Sequence, residues 1–131
     1  MIPDALPVTD LRSSQLYLNA EKLSSVLGRF GPETEFGPLP VYEFDGDLYL
    51  TDGHTRAFVA YLTGADRVTV SYDEGLTEEY DTALYRECLQ WCDEAGVERV
   101  PDFEGRVLSP ETYEREWIDR CSRAAERLDG N

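Results

Sequence analysis

Five consecutive residues have side chains and backbone groups suited to binding an anion: Asp52, Gly53, His54, Thr55 and Arg56. Arg56 is a permanent cation that can form paired hydrogen bonds with phosphate, and Thr55 supplies a hydroxyl. His54 can donate a hydrogen bond or carry a proton near neutral pH. Gly53 has no side chain, which lets the backbone approach a ligand closely. This combination predicts a site for a phosphate group.

The neighbouring sequence predicts that this loop, defined here as residues 52–56, joins a strand to a helix. The N terminus of a helix has unpaired N–H groups and a partial positive charge, so this position favours a negatively charged ligand. An alternative interpretation needs no ligand: Asp52 caps the helix, Gly53 serves the turn, and Arg56 pairs with a nearby carboxylate. The five residues alone do not distinguish the two interpretations, because such short motifs occur by chance.

Patterns of apolar residues predict the elements that position the loop. Residues 40–51 form two alternating runs that meet at Asp45-Gly46, a pair typical of a two-residue hairpin turn. Residues 55–63 are predicted to form a short helix, and residues 67–72 a further strand. The loop is therefore expected directly after a hairpin and at the start of a helix.

Further elements are predicted before the hairpin. Residues 8–11 alternate between apolar and polar side chains, which predicts a short strand. Asn19 precedes a run of apolar residues at helical spacing, which predicts a capped helix over residues 19–30. Residues 31–40 are rich in Gly and Pro and are predicted to form a loop.

The pattern becomes helical in the last part of the chain. One amphipathic helix is predicted to end at Gly96, and a second to begin at Ser109-Pro110, a suitable cap and first-turn pair. The predicted fold class is therefore α+β. A mixed sheet with flanking helices occupies residues 1–75, and a C-terminal helical extension, residues 76–131, packs on it.

Length and charge limit the classes of function. The 131 residues have the length of one ordinary domain. The 27 acidic and 12 basic residues give a formal charge of −15, which repels nucleic-acid phosphates, so general DNA binding is disfavoured. Acidic residues are spread along the chain and Lys22 is the only Lys, which suggests adaptation to high salt in a halophilic source. No apolar run is long enough to cross a bilayer and no signal peptide is evident, so we expect a cytoplasmic protein without membrane contact.

The three cysteines are Cys88, Cys92 and Cys121, an odd number that argues against a disulfide scaffold. Cys88 and Cys92 lie four residues apart on one face of the predicted helix, so packing in the core is favoured over metal ligation. His54 is the only His, so a thiolate and imidazole site would lack further ligands, and no metal bound by the protein alone is expected.

Several segments together resemble the ParB/sulfiredoxin superfamily. They are residues 11–26, residues 39–42, residues 45–57 with the Asp-Gly-His-Thr-Arg-Ala string, and residues 64–70. The resemblance covers approximately residues 6–75, and the string after a short hairpin is typical of ParB-like proteins of unassigned function. Members of the superfamily bind nucleotides with the loop and helix that follow the hairpin. The resemblance therefore implies a ParB/sulfiredoxin-like mixed sheet, with ATP or ADP as ligand and Mg²⁺ as a candidate companion ion.

Departures within the loop separate the activities of the superfamily. Sulfiredoxins carry Gly-Cys-His-Arg where this chain has the residues from Gly53 to Arg56, so His54 replaces their reactive cysteine and sulfiredoxin chemistry is not expected. Partition proteins carry Gly-Glu-Arg-Arg there, and their helix-turn-helix region has no counterpart in residues 76–131, which argues against a partition role. Free serine kinases carry an Asp-Gly-His-type loop, matched by Asp52, Gly53 and His54, and are the most similar of the characterised members.

The resemblance to those kinases is incomplete at the catalytic base. They use an acidic residue after the first strand, and the matching neighbourhood here, residues 13–15, has no carboxylate. A base must lie within about 3 Å of the proton it takes. Kinase activity would therefore require Glu33, Glu35 or Glu43 as a substitute.

The resemblance implies a nucleotide-binding protein, and its catalytic version is a small phosphotransferase or phosphohydrolase acting on a small-molecule substrate. In that version Gly53 and the loop backbone cradle phosphate, and Thr55 and Arg56 hold its oxygens. His54 stabilises or protonates the transferring group, and Asp52 holds Mg²⁺ or a substrate donor. The alternative is a non-catalytic regulatory module that senses a nucleotide or binds a protein through the C-terminal helices. The acidic surface and the lack of a paired-carboxylate metal motif argue against a third version, a ParB-like nuclease.

Overall fold

The computed structural model describes residues 2–29, 37–76 and 79–129. It contains a four-stranded sheet, a second sheet of two strands, and helices in both halves of the chain, so the predicted α+β class is confirmed. The strands are β1 (Ala5–Pro7), β2 (Leu18–Asn19), β3 (Leu39–Phe44), β4 (Asp47–Leu50), β5 (Arg67–Tyr72) and β6 (Val107–Leu108). The helices are α1 (Ala20–Arg29), α2 (His54–Leu62), α3 (Glu79–Ala95), α4 (Pro110–Tyr113) and α5 (Asp119–Asp129).

The larger sheet has the strand order β1-β5-β3-β4 and is mixed. β3 pairs with β4 antiparallel and with β5 parallel, and β1 pairs with β5 antiparallel. The predicted hairpin is confirmed, because Val41 lies opposite Leu50 and Phe44 opposite Asp47. Asp45 and Gly46 both have positive φ angles, 54° and 94°, as the favoured two-residue hairpin turn requires.

The prediction of a strand at residues 8–11 is wrong. Residues Val8–Asp10 form a 3₁₀ turn, and the strand lies just before it as β1. The ladder with β5 reaches the first residue of this turn, where the N–H of Val8 donates to the carbonyl of Asp66 at 3.0 Å. Val8 and Leu11 are three residues apart, so a turn of this kind carries both into the core on one side. The sequence pattern of alternation hid this three-residue period.

The helix predicted over residues 19–30 is present as α1. Asn19 caps it as expected: its Oδ1 accepts hydrogen bonds from the backbone N–H groups of Glu21 at 2.9 Å and Lys22 at 3.4 Å. The predicted end of this helix and most of the loop assigned to residues 31–40 lie outside the described residues. The last two residues of that range belong to β3, so the prediction of a loop is wrong for these two residues.

The two helices predicted in the last part of the chain are present. α3 ends before Gly96, whose φ of 75° is in the left-handed region. The second helix begins after Ser109, whose Oγ accepts from the N–H of Thr112 at 3.4 Å. It runs as α4 into a π-helical segment, Glu114–Ile118, and continues as α5. The π-helical segment was not predicted.

Residues from both halves of the chain share one core. Val100 and Phe103, from a 3₁₀ turn between α3 and β6, are 0% exposed and belong to the same buried cluster as Leu50 and Ala57. β2 pairs with β6 in parallel, a link that the sequence did not predict. Cys88 and Cys92 lie in the same cluster, with Cys121 packed against it, which confirms the predicted core packing of Cys88 and Cys92. No helix of the described residues is both long enough and apolar enough to cross a membrane.

Replacing Phe103 with Ala should test whether the C-terminal residues belong to the same cooperative unit as the sheet. We expect the free energy of unfolding to fall by about 3–5 kcal/mol in urea denaturation, because a fully buried aromatic side chain leaves a cavity. Leu62→Ala, at a position 48% exposed on α2, is the control and should change stability by about 0.5 kcal/mol or less. Faster amide exchange in β3 should accompany the loss in Phe103→Ala. Unchanged exchange there would show that the C-terminal part unfolds by itself.

Candidate functional site

His54, the first residue of α2, is held inside the protein by a hydrogen bond across 40 residues of sequence. Its side chain is 4% exposed, and its Nε2 accepts from the backbone N–H of Ser14 at 3.1 Å. The Ser14 hydroxyl donates to the carbonyl of Leu50 at 2.6 Å. The ring of Phe103 meets the imidazole edge to face, with 5.9 Å between the ring centroids. Since Nε2 is the acceptor, the proton of the neutral imidazole lies on Nδ1.

The surroundings of His54 keep its imidazole neutral. Burial lowers the pKa from 6.5 to about 4, the nearby charge of Asp52 opposes this shift, and Lys22 adds to it. At pH 7 the side chain can therefore donate a hydrogen bond from Nδ1 but carries no charge. To protonate a transferring group, as the sequence suggested, His54 would have to exchange its bond with Ser14.

Gly53 and Asp52 form the turn that starts α2. Gly53 has φ 75° and ψ 19°, a left-handed conformation, and it is the N-cap residue of the helix. A Cβ at this position would lie 2.8 Å from Nη2 of Arg56 and 2.9 Å from Cδ2 of Leu39, so only glycine fits without rearrangement. Asp52 is exposed, and its Oδ1 accepts from the N–H of Gly53 at 2.8 Å. The helix itself has no side-chain cap, so the capping role considered for Asp52 is not observed.

Thr55 and Arg56 present unused hydrogen-bond donors near this turn. Thr55 is 4% exposed, and among the described residues none forms a hydrogen bond with its hydroxyl. Arg56 is half-buried, and its guanidinium lies against Gly53. Within the described ranges it forms no ion pair, so the carboxylate partner considered for Arg56 is not observed there.

A cavity of about 180 Å³ lies between the start of α2 and the C-terminal helices, and we call it the His54 cavity. Of the five loop residues, His54 is the one that lines it, so the loop does not gather around this single concavity. The other eight residues of its wall come from the hairpin end, the segment after β1 and the two long helices. They are Ser14, Gln15, Thr51, Leu84, Tyr85, Cys88, Trp117 and Cys121.

Polar residues of the cavity wall are tied together by bonds that the sequence did not suggest. The Tyr85 hydroxyl donates to the carbonyl of Thr51 at 2.8 Å, and the Thr51 hydroxyl donates to Oδ2 of Asp73 at 2.7 Å. Gln15 donates from Nε2 to the Tyr113 hydroxyl at 3.0 Å. These partners are 22 to 98 residues apart, so no local pattern reveals them. The only feature of the sequence that could have indicated this network is the position of Thr51 directly before the loop.

The carboxylates considered as substitute bases do not lie at the His54 cavity. Glu43 is exposed on β3 and lines a different cavity with Leu48 and Tyr72. Glu33 and Glu35 lie outside the described residues. The carboxylates that the structure brings near the loop are Asp52, whose charge acts on His54, and Asp73, which accepts from Thr51.

Comparisons of this chain with protein-family models, with curated proteins and with solved structures find no match. A proposal about function therefore rests on the geometry of the loop and of the His54 cavity.

The protonation of His54 gives a direct test of its burial. Because this is the only His, its imidazole signals can be followed by nitrogen-15 NMR during a pH titration. We expect the neutral Nδ1–H form to persist to a pH near 4. Between pH 6.5 and about 4 the unfolded chain binds a proton that the folded chain does not, so stability falls with falling pH, by about 3 kcal/mol in total. A midpoint near 6.5, or a proton on Nε2, would contradict the observed hydrogen bond.

The tight fit at Gly53 can be separated from the strain of its backbone. Gly64 also has a positive φ, 86°, but a Cβ there would meet nothing within 4 Å. Gly64→Ala should therefore lose about 1 kcal/mol of unfolding free energy from backbone strain alone. Gly53→Ala should lose at least about 1 kcal/mol more in the same urea denaturation experiment, because Leu39 and Arg56 must also move. Equal losses would mean that the two side chains make room freely.

Proposed function

We propose that this chain is a ParB/sulfiredoxin-like nucleotide-binding protein that holds a phosphate group of ATP or ADP at the start of α2. The observation that carries the proposal is the Thr55 hydroxyl. The Thr55 side chain is 4% exposed, its hydroxyl bonds to none of the described residues, and it lies in the first turn of a helix without a side-chain cap. The hydroxyl keeps some access to solvent, since it is not among the fully buried atoms that lack a partner, so an accepting phosphate oxygen can bond to it.

The charges near the start of α2 support an anionic ligand. Arg56 holds its guanidinium against Gly53, at the same turn as the free N–H groups of the helix. Lys22 acts electrostatically on His54 from α1, so its charge lies close to the same turn. In a chain with a formal charge of −15, two cations beside a helix N terminus favour phosphate over a neutral ligand.

Asp52 is the group in the loop that suits Mg²⁺. A bare phosphate would be repelled by this exposed carboxylate, which has one oxygen bonded to the N–H of Gly53. Mg²⁺ is commonly held by one or two carboxylates together with the phosphates of its nucleotide. We therefore expect the magnesium complex of the nucleotide to bind more tightly than the free nucleotide.

The state of His54 favours a protein that senses a nucleotide over an enzyme that turns it over. The imidazole is neutral and its Nε2 is engaged by Ser14, so it is not poised to transfer a proton. In a phosphotransferase or phosphohydrolase, Asp52 would be the group of the loop left to act as base. The His54 cavity, about 180 Å³, would then hold the small-molecule substrate. Release of ADP that depends on Asp52 would indicate the enzyme, and binding without release the sensor.

Two substitutions in the first turn of α2 test the phosphate site by calorimetric titration with ATP and ADP, each with Mg²⁺. Arg56→Ala should weaken binding about tenfold or more, because a charge-assisted hydrogen bond contributes about 1.5–3 kcal/mol. Thr55→Val keeps the side-chain shape and should weaken binding about fivefold without loss of folding stability, because the hydroxyl has no partner to lose within the described chain.

The matched control is Arg123→Ala, which removes an exposed arginine of α5 and should leave affinity unchanged. Arg106 is unsuitable as a control, because its Nε donates to the carbonyl of Leu16 at 2.8 Å and its guanidinium lies 4.7 Å from the ring centroid of Tyr17. If neither nucleotide binds the native chain at millimolar concentration, or if Arg56→Ala and Arg123→Ala behave alike, the loop is only a helix start.

A further inference from the structure

Two cysteines from different helices meet at the His54 cavity. Cys88 of α3 is 5% exposed, Cys121 of α5 is half-buried, and both line the cavity wall. α3 is joined to the neighbouring helical segments by two further contacts. The rings of Trp91 and Trp117 meet edge to face at 6.0 Å, and the guanidinium of Arg120 lies 4.2 Å from the ring centroid of Trp91. The helices that carry the two thiols are thus held side by side.

The two thiols differ in their readiness to lose a proton. Each of the two thiols shifts the pKa of the other, so that the pKa of Cys121 is lowered and that of Cys88 is raised. The guanidinium of Arg120 also favours the thiolate of Cys121, whereas burial opposes it. The third thiol, Cys92, is one turn further along α3, and burial raises its pKa to about 12. Cys121 is also the most exposed of the three, since Cys88 and Cys92 are buried, and a thiolate is the reactive form of cysteine, so Cys121 is the nucleophile.

We propose that Cys88 and Cys121 form a peroxide-sensitive pair, which hydrogen peroxide converts to an intramolecular disulfide between α3 and α5. The Cys121 thiolate attacks one peroxide oxygen, the O–O bond breaks, and the second oxygen leaves as hydroxide and becomes water with the proton that Cys121 released. Cys121 is now a sulfenic acid. The Cys88 sulfur then attacks the Cys121 sulfur, the S–O bond breaks, and the leaving hydroxide takes the Cys88 proton. Two thiols have lost two electrons and two protons, and one peroxide has become two waters.

The His54 cavity gives the oxidant a way to the pair. A water molecule occupies about 30 Å³ in the liquid, and hydrogen peroxide is only slightly larger, so it fits in a space of about 180 Å³. The disulfide would close a loop over residues 88–121 and fix α5 against α3. It would also narrow the cavity, because both sulfurs are part of its wall. The pair needs no nucleotide for this reaction, so the proposal is independent of the phosphate site.

The test is a thiol count on the full chain, kept at low micromolar concentration, after treatment with hydrogen peroxide and removal of the excess by catalase. We expect the three thiols to fall to one, with a mass loss of two hydrogens and a monomer on a non-reducing gel. Dithiothreitol should restore all three. The oxidised chain should melt about 10 °C higher than the reduced chain, because the closed loop restricts the unfolded state.

Cys92→Ser is the matched control and should still lose both of its remaining thiols. Tryptic digestion of this variant should give one cross-linked species that joins residues 87–99 to residues 121–123. Cys88→Ser should stop at the sulfenic acid of Cys121, trapped by dimedone. The proposal is overturned if the native chain keeps three thiols, if the disulfide joins Cys88 to Cys92, or if it joins two chains. The first and last results are read on the native chain, so a misfolded variant does not obscure them.

Discussion

The hydrogen bond from the backbone N–H of Ser14 to Nε2 of His54 is the interaction on which the rest of the site depends. It draws the first residue of α2 into the core and sets the proton of the imidazole on Nδ1. The Ser14 hydroxyl bonds in turn to the carbonyl of Leu50, at the end of the hairpin that leads into the loop. Hairpin, loop and helix are thus tied to the segment that follows β1. The tight turn between hairpin and helix requires glycine at position 53. The backbone there is left-handed, and Leu39 and Arg56 leave no space for a Cβ.

Because His54 is buried, its side chain and those of Thr55 and Arg56 serve different places in the structure. Its imidazole is neutral and faces the cavity, whereas Thr55 and Arg56, whose side chains have no bonding partner among the described residues, belong to the first turn of the helix. The proposed phosphate site at the turn therefore needs no ionised histidine. The His54 imidazole lines a cavity whose wall also contains Cys88 and Cys121. The proposed phosphate site and the proposed oxidation site would therefore be neighbours, with His54 between them.

Local chemistry explains which elements could be predicted. Asp45-Gly46 accepts positive φ angles, and Asn19 offers a side-chain oxygen to the first N–H groups of α1, so the hairpin and this helix follow from residues close in sequence. Residues 8–11 show how such reasoning fails: their apolar and polar side chains alternate, but Val8 and Leu11 are buried by a 3₁₀ turn of three-residue period. The parallel pair of β2 and β6 carries no local signal, because its strands have two residues each and lie far apart in sequence.

By itself, the sequence determined the acidic charge, the α+β class, the hairpin and the residues that start α2, because each depends on composition or on neighbours within about four positions. The tertiary structure alone decided that His54 is neutral, that the Thr55 side chain is buried, and that Cys88 and Cys121 line one cavity. These properties depend on burial and on partners brought together by folding. A buried imidazole loses its hydration, and the reactivity of a thiol depends on its exposure and on the charges around it. Neither condition can be read from the residue type or from its nearest neighbours in the chain.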